Sequence, residues 1–149
     1  MQSRPNGWSG YEFLFGETFA GSARLTDAMR SKLPKGKVRE PRDILYGKQW
    51  DLLEQAVYDR AKKEAKQRLC YYNHYSPKCA TFSPAQRHYM ERSKALPYGA
   101  GERYQVEQDN KLAVRTCALC RMHHAVGDSF SIEHIYPSLM LEFGCYKEL

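Results

Sequence analysis

The sequence predicts a single α/β domain built on a mostly parallel sheet. Three observations carry that reading. Segments with strand-like alternation are separated by segments with the i, i+3, i+4 spacing of amphipathic helices, in the order β-α-β-(β)-α-β-loop-α-β-α. Such alternation goes with parallel strands joined by right-handed crossovers. The length, 149 residues, fits one domain and leaves no room for two full ones. The balance of 42% hydrophobic and 27% charged residues excludes collagen-like, coiled-coil and fully disordered chains. No apolar run reaches the roughly 18–20 residues of a membrane span, so no membrane partner is expected. Internal repeats and low-complexity tracts are absent from the sequence.

Residues 1–10 are polar and rich in Gly and Pro, the composition of a flexible arm; 11–149 form the domain. Tyr11 to Phe19 alternates in the manner of a strand, with Phe13, Phe15 and Phe19 on one side. Ser22 is the expected N-cap of a helix from Arg24 to Arg30, in which Leu25, Ala28 and Met29 share a face. Pro34 and Gly36 end it. Val38 to Glu40 reads as a short second strand, stopped at Pro41. Trp50-Asp51-Leu52 reads as a further strand end. Leu53 to Gln67 is a helix with Leu53, Val57 and Ala61 at i, i+4, i+8. The basic run from Arg60 to Arg68 reads as its solvated face, with Asp59 and Lys63 in i,i+4 register.

Arg68 to Tyr75 has the composition of a buried strand, with Tyr71 and Tyr72 expected in the core. Residues 76–104 read mostly as a long loop, and such a loop in a compact domain is usually functional or disordered. Gln105 to Val126 is a helix whose Leu112, Thr116, Leu119, Cys120 and His123 share a face; Gly127-Asp128 ends it. Phe130 to Ile135 is a strand, and Pro137 opens a last short helix through Phe143.

Lys and Arg total 23 against 17 Asp and Glu, a net charge of +6 that favours polyanionic partners, nucleic acid among them. The five cysteines are an odd number and the N-terminus lacks an apolar stretch, so reduced thiols and an intracellular protein are expected. Most of these thiols are expected in the core.

In open α/β sheets ligands sit at the carboxyl ends of the strands, near the point where strand order reverses. The three most unusual segments fall at such ends. Glu17-Thr18-Phe19-Ala20-Gly21-Ser22-Ala23 is a strand, a small-residue turn and a helix start, where a cofactor can approach the backbone and free N–H groups. Ser76-Pro77-Lys78-Cys79-Ala80-Thr81-Phe82-Ser83 places a cysteine beside Lys78 and near His74, the setting of an activated thiol. Ile132-Glu133-His134-Ile135-Tyr136-Pro137 places a carboxylate at the end of an apolar strand, as an acid or hydrogen-bond partner.

Together these segments resemble the cytosine-C5 DNA methyltransferase family, which uses S-adenosylmethionine. Glu17-Thr18-Phe19-Ala20-Gly21 is similar to that family's Glu-Leu-Phe-Ala-Gly cofactor motif. Ser76 to Ser83 resembles its Gly-Pro-Pro-Cys-Gln-x-Phe-Ser loop at Pro77, Cys79, Phe82 and Ser83, and Ile132-Glu133-His134 resembles its Glu-Asn-Val motif. The resemblance covers residues 11–143. The chain is further similar to methyltransferase-like segments of retroelement-type polyproteins in protists. The resemblance implies a Rossmann-like S-adenosylmethionine methyltransferase core, truncated after about five strands.

The same resemblance implies roles residue by residue. Cys79 would be the nucleophile that adds to C6 of a flipped cytosine, and Glu133 would hold N3. Glu17, Phe19, Ala20, Gly21, Ser22, Ala23 and Pro77 would surround the cofactor. Glu40 or Asp43 would take the ribose hydroxyls, and Asp51 would sit near the adenine. Lys78, Arg87, His88 and Arg92 would meet nucleic-acid phosphates. Ala23 stands where the motif has a glycine, Lys78 replaces its second proline, Ala80 its glutamine and His134 its asparagine. The family's last strands and its target-recognition region have no counterpart in these 149 residues. The implied function is therefore cytosine-C5 methylation of DNA or RNA, or an inactive descendant of it. A protein partner or larger assembly would supply the C-terminal elements.

Two other classes stay open. A non-catalytic structural or nucleic-acid-binding subunit fits the basic balance and the 11 tyrosines, which suit an interface. Cys117-Ala118-Leu119-Cys120 with His123 and His124, followed by Glu133-His134-Ile135-Tyr136-Pro137, resembles the layout of HNH metal-dependent nucleases, with His134 as general base.

Overall fold

The computed structural model describes residues 8–83, 92–99, 104–135 and 138–149. Strand β1 (Phe13–Thr18) pairs with β2 (Cys70–Tyr75), and β2 pairs with β3 (Ser129–Ile132), all parallel. The segment 38–42 lies along the other edge of β1 through two isolated parallel bridges, Phe15 to Val38 and Thr18 to Arg42. The spatial order is thus 38–42, β1, β2, β3. Chain progression reverses between β1 and β2, which opens a crevice above their carboxyl ends.

The parallel α/β sheet expected from the sequence is present. It has three strands and one bridged segment where about five strands were expected. Trp50–Leu52 is not a strand end. Asp43 accepts the Leu45 N–H at 2.9 Å and starts a 3₁₀ turn over Ile44–Tyr46, and a second turn follows over Lys48–Trp50. Glu133 and His134 lie beyond β3, which stops at Ile132.

Helices α1 (Arg24–Arg30), α2 (Gln55–Gln67), α3 (Tyr104–Val126) and the short α4 (Gly144–Lys147) are the described α-helices; the segment expected as a helix ending at Phe143 is a 3₁₀ turn over Leu139–Glu142. Side chains alternate along each strand, so register fixes the rows across the sheet. Thr18, Tyr75 and Ile132 form one row. Tyr75 packs there with Leu52, Leu119 and Cys120, under α2 and α3. Glu17, His74 and Ser131 form a row on the opposite face, where α1 lies. A second apolar cluster joins Phe82, Cys117, Leu139, Met140 and Phe143, and seats the C-terminal segment against α3.

Several local expectations are corrected. The N-cap of α1 is Ala23, at φ 56° and with no side-chain bond, while Ser22 is exposed. Glu17 caps the helix from the strand beside it. Its carboxylate accepts the Thr26 N–H at 2.9 Å and the Thr26 hydroxyl at 2.5 Å, satisfying a donor that the helix itself leaves open. Asp59 pairs with Lys62 at 2.8 Å rather than with Lys63. Tyr71 and Tyr72 are half-buried; Tyr71 meets Trp8 and Tyr11, and Tyr72 stacks on Phe15. Arg68 turns away from the solvated face of α2, reaching the fully buried Asp128 carboxylate at 3.1 Å. The Tyr11 hydroxyl donates to the same carboxylate at 2.5 Å.

Gly16 makes room for a buried arginine. A Cβ there would stand 2.7 Å from the Arg39 guanidinium. That group is buried, with Glu64 at 3.8 Å, so it cannot swing aside without leaving its counter-charge. Gly16→Ala is expected to lower stability by about 1–3 kcal/mol through overpacking. Urea unfolding measures it as a lower midpoint at unchanged slope; an unchanged midpoint would show that the guanidinium yields without cost.

Candidate active site

A cavity of about 410 Å³ occupies the crevice above β1 and β2. That volume falls in the ordinary range for small-molecule sites. Phe19, Trp50, Leu52 and Leu112 supply apolar wall, and Asp43, Asp51, Asp109 and Lys78 supply charge.

The turn at the end of β1 holds three residues at positive φ within five positions: Phe19 at 63°, Gly21 at 51° and Ala23 at 56°. Left-handed backbone costs a residue with a side chain about 1–2 kcal/mol, so surrounding bonds must hold the turn. Ala20 N–H donates to the Arg42 carbonyl at 3.1 Å. Gly21 N–H donates to Asp43 Oδ2 at 2.9 Å, and the Tyr46 hydroxyl donates to the Gly21 carbonyl at 2.7 Å. Asp43 thereby ties the loop after β1 to the loop after 38–42.

The two acidic candidates lie in different places. Asp43 lines the cavity, whereas Glu40 lies on the surface, paired with Arg30 at 2.8 Å. Asp51 also lines it, and accepts the Leu53 N–H at 2.9 Å. Of the turn residues, Phe19 lines the cavity directly and Gly21 stands behind Asp43. Ala20 and Ala23 are buried, Ser22 is exposed, and Glu17 is occupied with Thr26.

A second cleft of about 300 Å³ is lined by Ser76, Pro77, Cys79, Glu133, His134 and Ile135. Cys79 and Glu133 therefore share one cleft although they are far apart in sequence; Gly21 is not among its lining residues. Ser76 lines both spaces, Lys78 lines the first, and Pro77 and Cys79 line the second. The strand-end segment 76–79 is the wall between the two.

The loop that carries Cys79 is anchored from below. Cys79 precedes a 3₁₀ turn over Ala80–Phe82, and Phe82 N–H donates to the Cys79 carbonyl at 3.0 Å. The Thr81 hydroxyl donates to the buried Asp109 at 2.6 Å. Arg92 donates to Thr81 Oγ1 at 3.0 Å and to Asn110 Oδ1 at 2.7 Å, with its guanidinium 4.1 Å from the Phe82 ring centre. Arg92 is thus a buried anchor, 3% exposed, and not a phosphate-facing cation. Burial pulls its pKa down to about 10, against the pull of Asp109. Lys78 is exposed, Pro77 is buried, and Arg87 and His88 lie outside the described residues.

The cysteine pair of the nuclease layout is core. Cys117 and Cys120 are fully buried in α3. Burial pushes the Cys117 thiol up to about 12, and raises Cys120 as well. His123 packs against Tyr75, His124 is exposed, and His134 meets the Phe82 ring edge-on at 5.7 Å. Among the described residues, no three His, Cys, Asp or Glu side chains come together in a way that could hold a metal ion.

Sequence reasoning missed Trp50, Leu52 and Leu112 as cavity wall, and Ser76 as the residue shared by both spaces. One signal was present: Ile44 and Leu45 are apolar within a Gly-punctuated stretch, and both are exposed beside the cavity, at 58% and 75%. Among the described residues, no helix is long and apolar enough to cross a membrane. In comparison with known proteins, the chain matches no family model, no curated protein and no solved structure.

Proposed function

We propose that this chain is an S-adenosylmethionine-dependent methyltransferase-like domain of the cytosine-C5 type, acting on DNA or RNA. The observation that carries the reading is the pair of adjoining spaces separated by the Ser76–Cys79 wall. Methyl transfer needs a donor site beside an acceptor site, and the two spaces are neighbours that share Ser76 in their linings.

The lining of the larger cavity supports a cofactor site there. Two carboxylates not used by the loop anchor, Asp43 and Asp51, line it with one ammonium, Lys78, a balance that suits a ligand with a cationic centre. Asp43 already accepts two backbone N–H bonds, and its remaining lone pairs can take ribose hydroxyls. Phe19 offers apolar wall to a purine. Bound there, S-adenosylmethionine would supply an activated methyl group. In the smaller cleft the Cys79 thiol would lose its proton to water and its sulfur would add to C6 of an unstacked cytosine, the C5–C6 π pair moving to C5, while Glu133 holds N3. The net positive charge of the chain favours the polyanion that carries the base.

Calorimetry with S-adenosylmethionine tests the larger cavity. Binding is expected below millimolar, weakened about tenfold in Asp43→Asn through loss of a charge-assisted hydrogen bond. Covalent trapping on 5-fluorocytosine DNA tests the cleft. The adduct should vanish in Cys79→Ala, with cofactor affinity retained. An absence of binding at millimolar cofactor would overturn the reading. Binding without trapping would identify the inactive form of the same fold.

A further inference from the structure

We propose that His74 is a positioning residue that exchanges a proton with Glu133 through the Ser76 hydroxyl. His74 is mostly buried, 9% exposed, and stands behind the Cys79 cleft, outside its lining. It reaches the cleft through two residues that do line it. Its Nε2 lies 3.0 Å from Ser76 Oγ and 3.4 Å from Glu133 Oε2, and Ser76 Oγ lies 3.5 Å from the same carboxylate oxygen. Its Nδ1 lies 2.7 Å from Ser131 Oγ.

The backbone fixes these positions. His74 and Ser131 are register partners on β2 and β3. Ser76 N–H donates to the Thr18 carbonyl at 3.2 Å, and Glu133 N–H donates to the Tyr75 carbonyl at 2.8 Å. Among the described residues, the carboxylates placed beside His74 are Glu133 and, opposite it on β1, Glu17. Glu17 is turned onto Thr26, which leaves Glu133 as the acidic partner.

The exchange conserves protons and charge. The imidazolium Nε2–H passes its proton to Ser76 Oγ as the Ser76 O–H passes its own to Glu133 Oε2. An imidazolium and a carboxylate become an imidazole and a carboxylic acid, and Nδ1 keeps its proton, donated to Ser131 Oγ. Protonated Glu133 can donate to a ring nitrogen in the cleft; ionised Glu133 can only accept. The use of the relay rests on the proposed base-binding role of this cleft, but the coupling itself does not.

NMR of the full chain, labelled in histidine rings and glutamate carboxyls and free of cofactor and nucleic acid, tests it. The neutral His74 ring is expected as the Nδ1–H tautomer. The Glu133 carboxyl signal is expected to inflect together with the His74 ring, and to lose that inflection in His74→Gln. Ser131→Ala, a milder change, should leave the fold intact and mix the tautomers. A Glu133 signal that ignores the His74 titration, or a neutral ring in the Nε2–H form, would overturn the relay. Methyl transfer with no coupling would refute the relay and leave the function standing. Coupling with no cofactor binding would refute the function and leave the relay standing.

Discussion

Phe82→Ala is expected to lower stability by about 3–5 kcal/mol, the usual cost of emptying a large aromatic site in a packed core. Phe82 is fully buried. Its ring lies edge-on to Phe143 at 5.5 Å and to His134 at 5.7 Å, and Arg92 covers its face. The alanine would leave a cavity and also uncover a buried guanidinium, so collapse around the gap is restricted. Against a typical total of about 5–15 kcal/mol, this is a large fraction. In a chain of this size the melting midpoint should fall by on the order of 10 °C. A second effect separates this site from an ordinary core position. Phe82 N–H closes the turn on the Cys79 carbonyl, so releasing the ring loosens the cysteine. Reaction of Cys79 with a thiol reagent should therefore speed up under native conditions, while buried Cys117 and Cys120 stay protected. A midpoint drop below about 2 °C, or unchanged Cys79 reactivity, would show that the loop is held by something other than this anchor.

The elements that could be read from sequence are those whose signal is local. Helix α1 spans Arg24–Arg30, the residues its i, i+3, i+4 pattern gives, because an exposed amphipathic helix needs only its own face. Its cap was misread because the capping oxygen comes from Glu17, on a neighbouring strand. The 3₁₀ turns between Ile44 and Trp50 carry no period, so Trp50-Asp51-Leu52, with an apolar residue on each side of Asp51, imitated a strand end. Cys79 and Glu133 were picked out by motif, and the structure places them in one cleft. Arg92 was misassigned for a different reason. An arginine that stacks on a buried ring and one that meets phosphate have the same letter, and only the partner Phe82 distinguishes them. The link from His74 to Ser131 depends on strand register, which a single sequence does not specify.

Lowering the pH from 7 to 4 is expected to remove about 3 kcal/mol of stability through His123 alone. The ring is 4% exposed, with Nε2 2.9 Å from the Tyr75 hydroxyl oxygen and Nδ1 3.4 Å from Asn73 Nδ2. Burial holds its pKa down at about 4, and the Asp128 carboxylate opposes this only in part. In the unfolded chain the same ring titrates near 6.5. Above that pH both states are neutral and the site costs nothing. Between about 6.5 and 4 the unfolded chain holds the extra proton, so unfolding gains ground as the pH falls. Below about 4 both states are protonated and the loss levels off. Carboxylates elsewhere add their own acid sensitivity, so the measurement is a difference: urea unfolding of the wild type and His123→Gln across this range. The wild type should lose its advantage over the variant by about 3 kcal/mol between pH 7 and pH 4. Parallel curves would mean that the ring takes its proton in the folded protein as readily as in the unfolded chain, and that the Tyr75–His123–Asn73 contact does not keep it neutral.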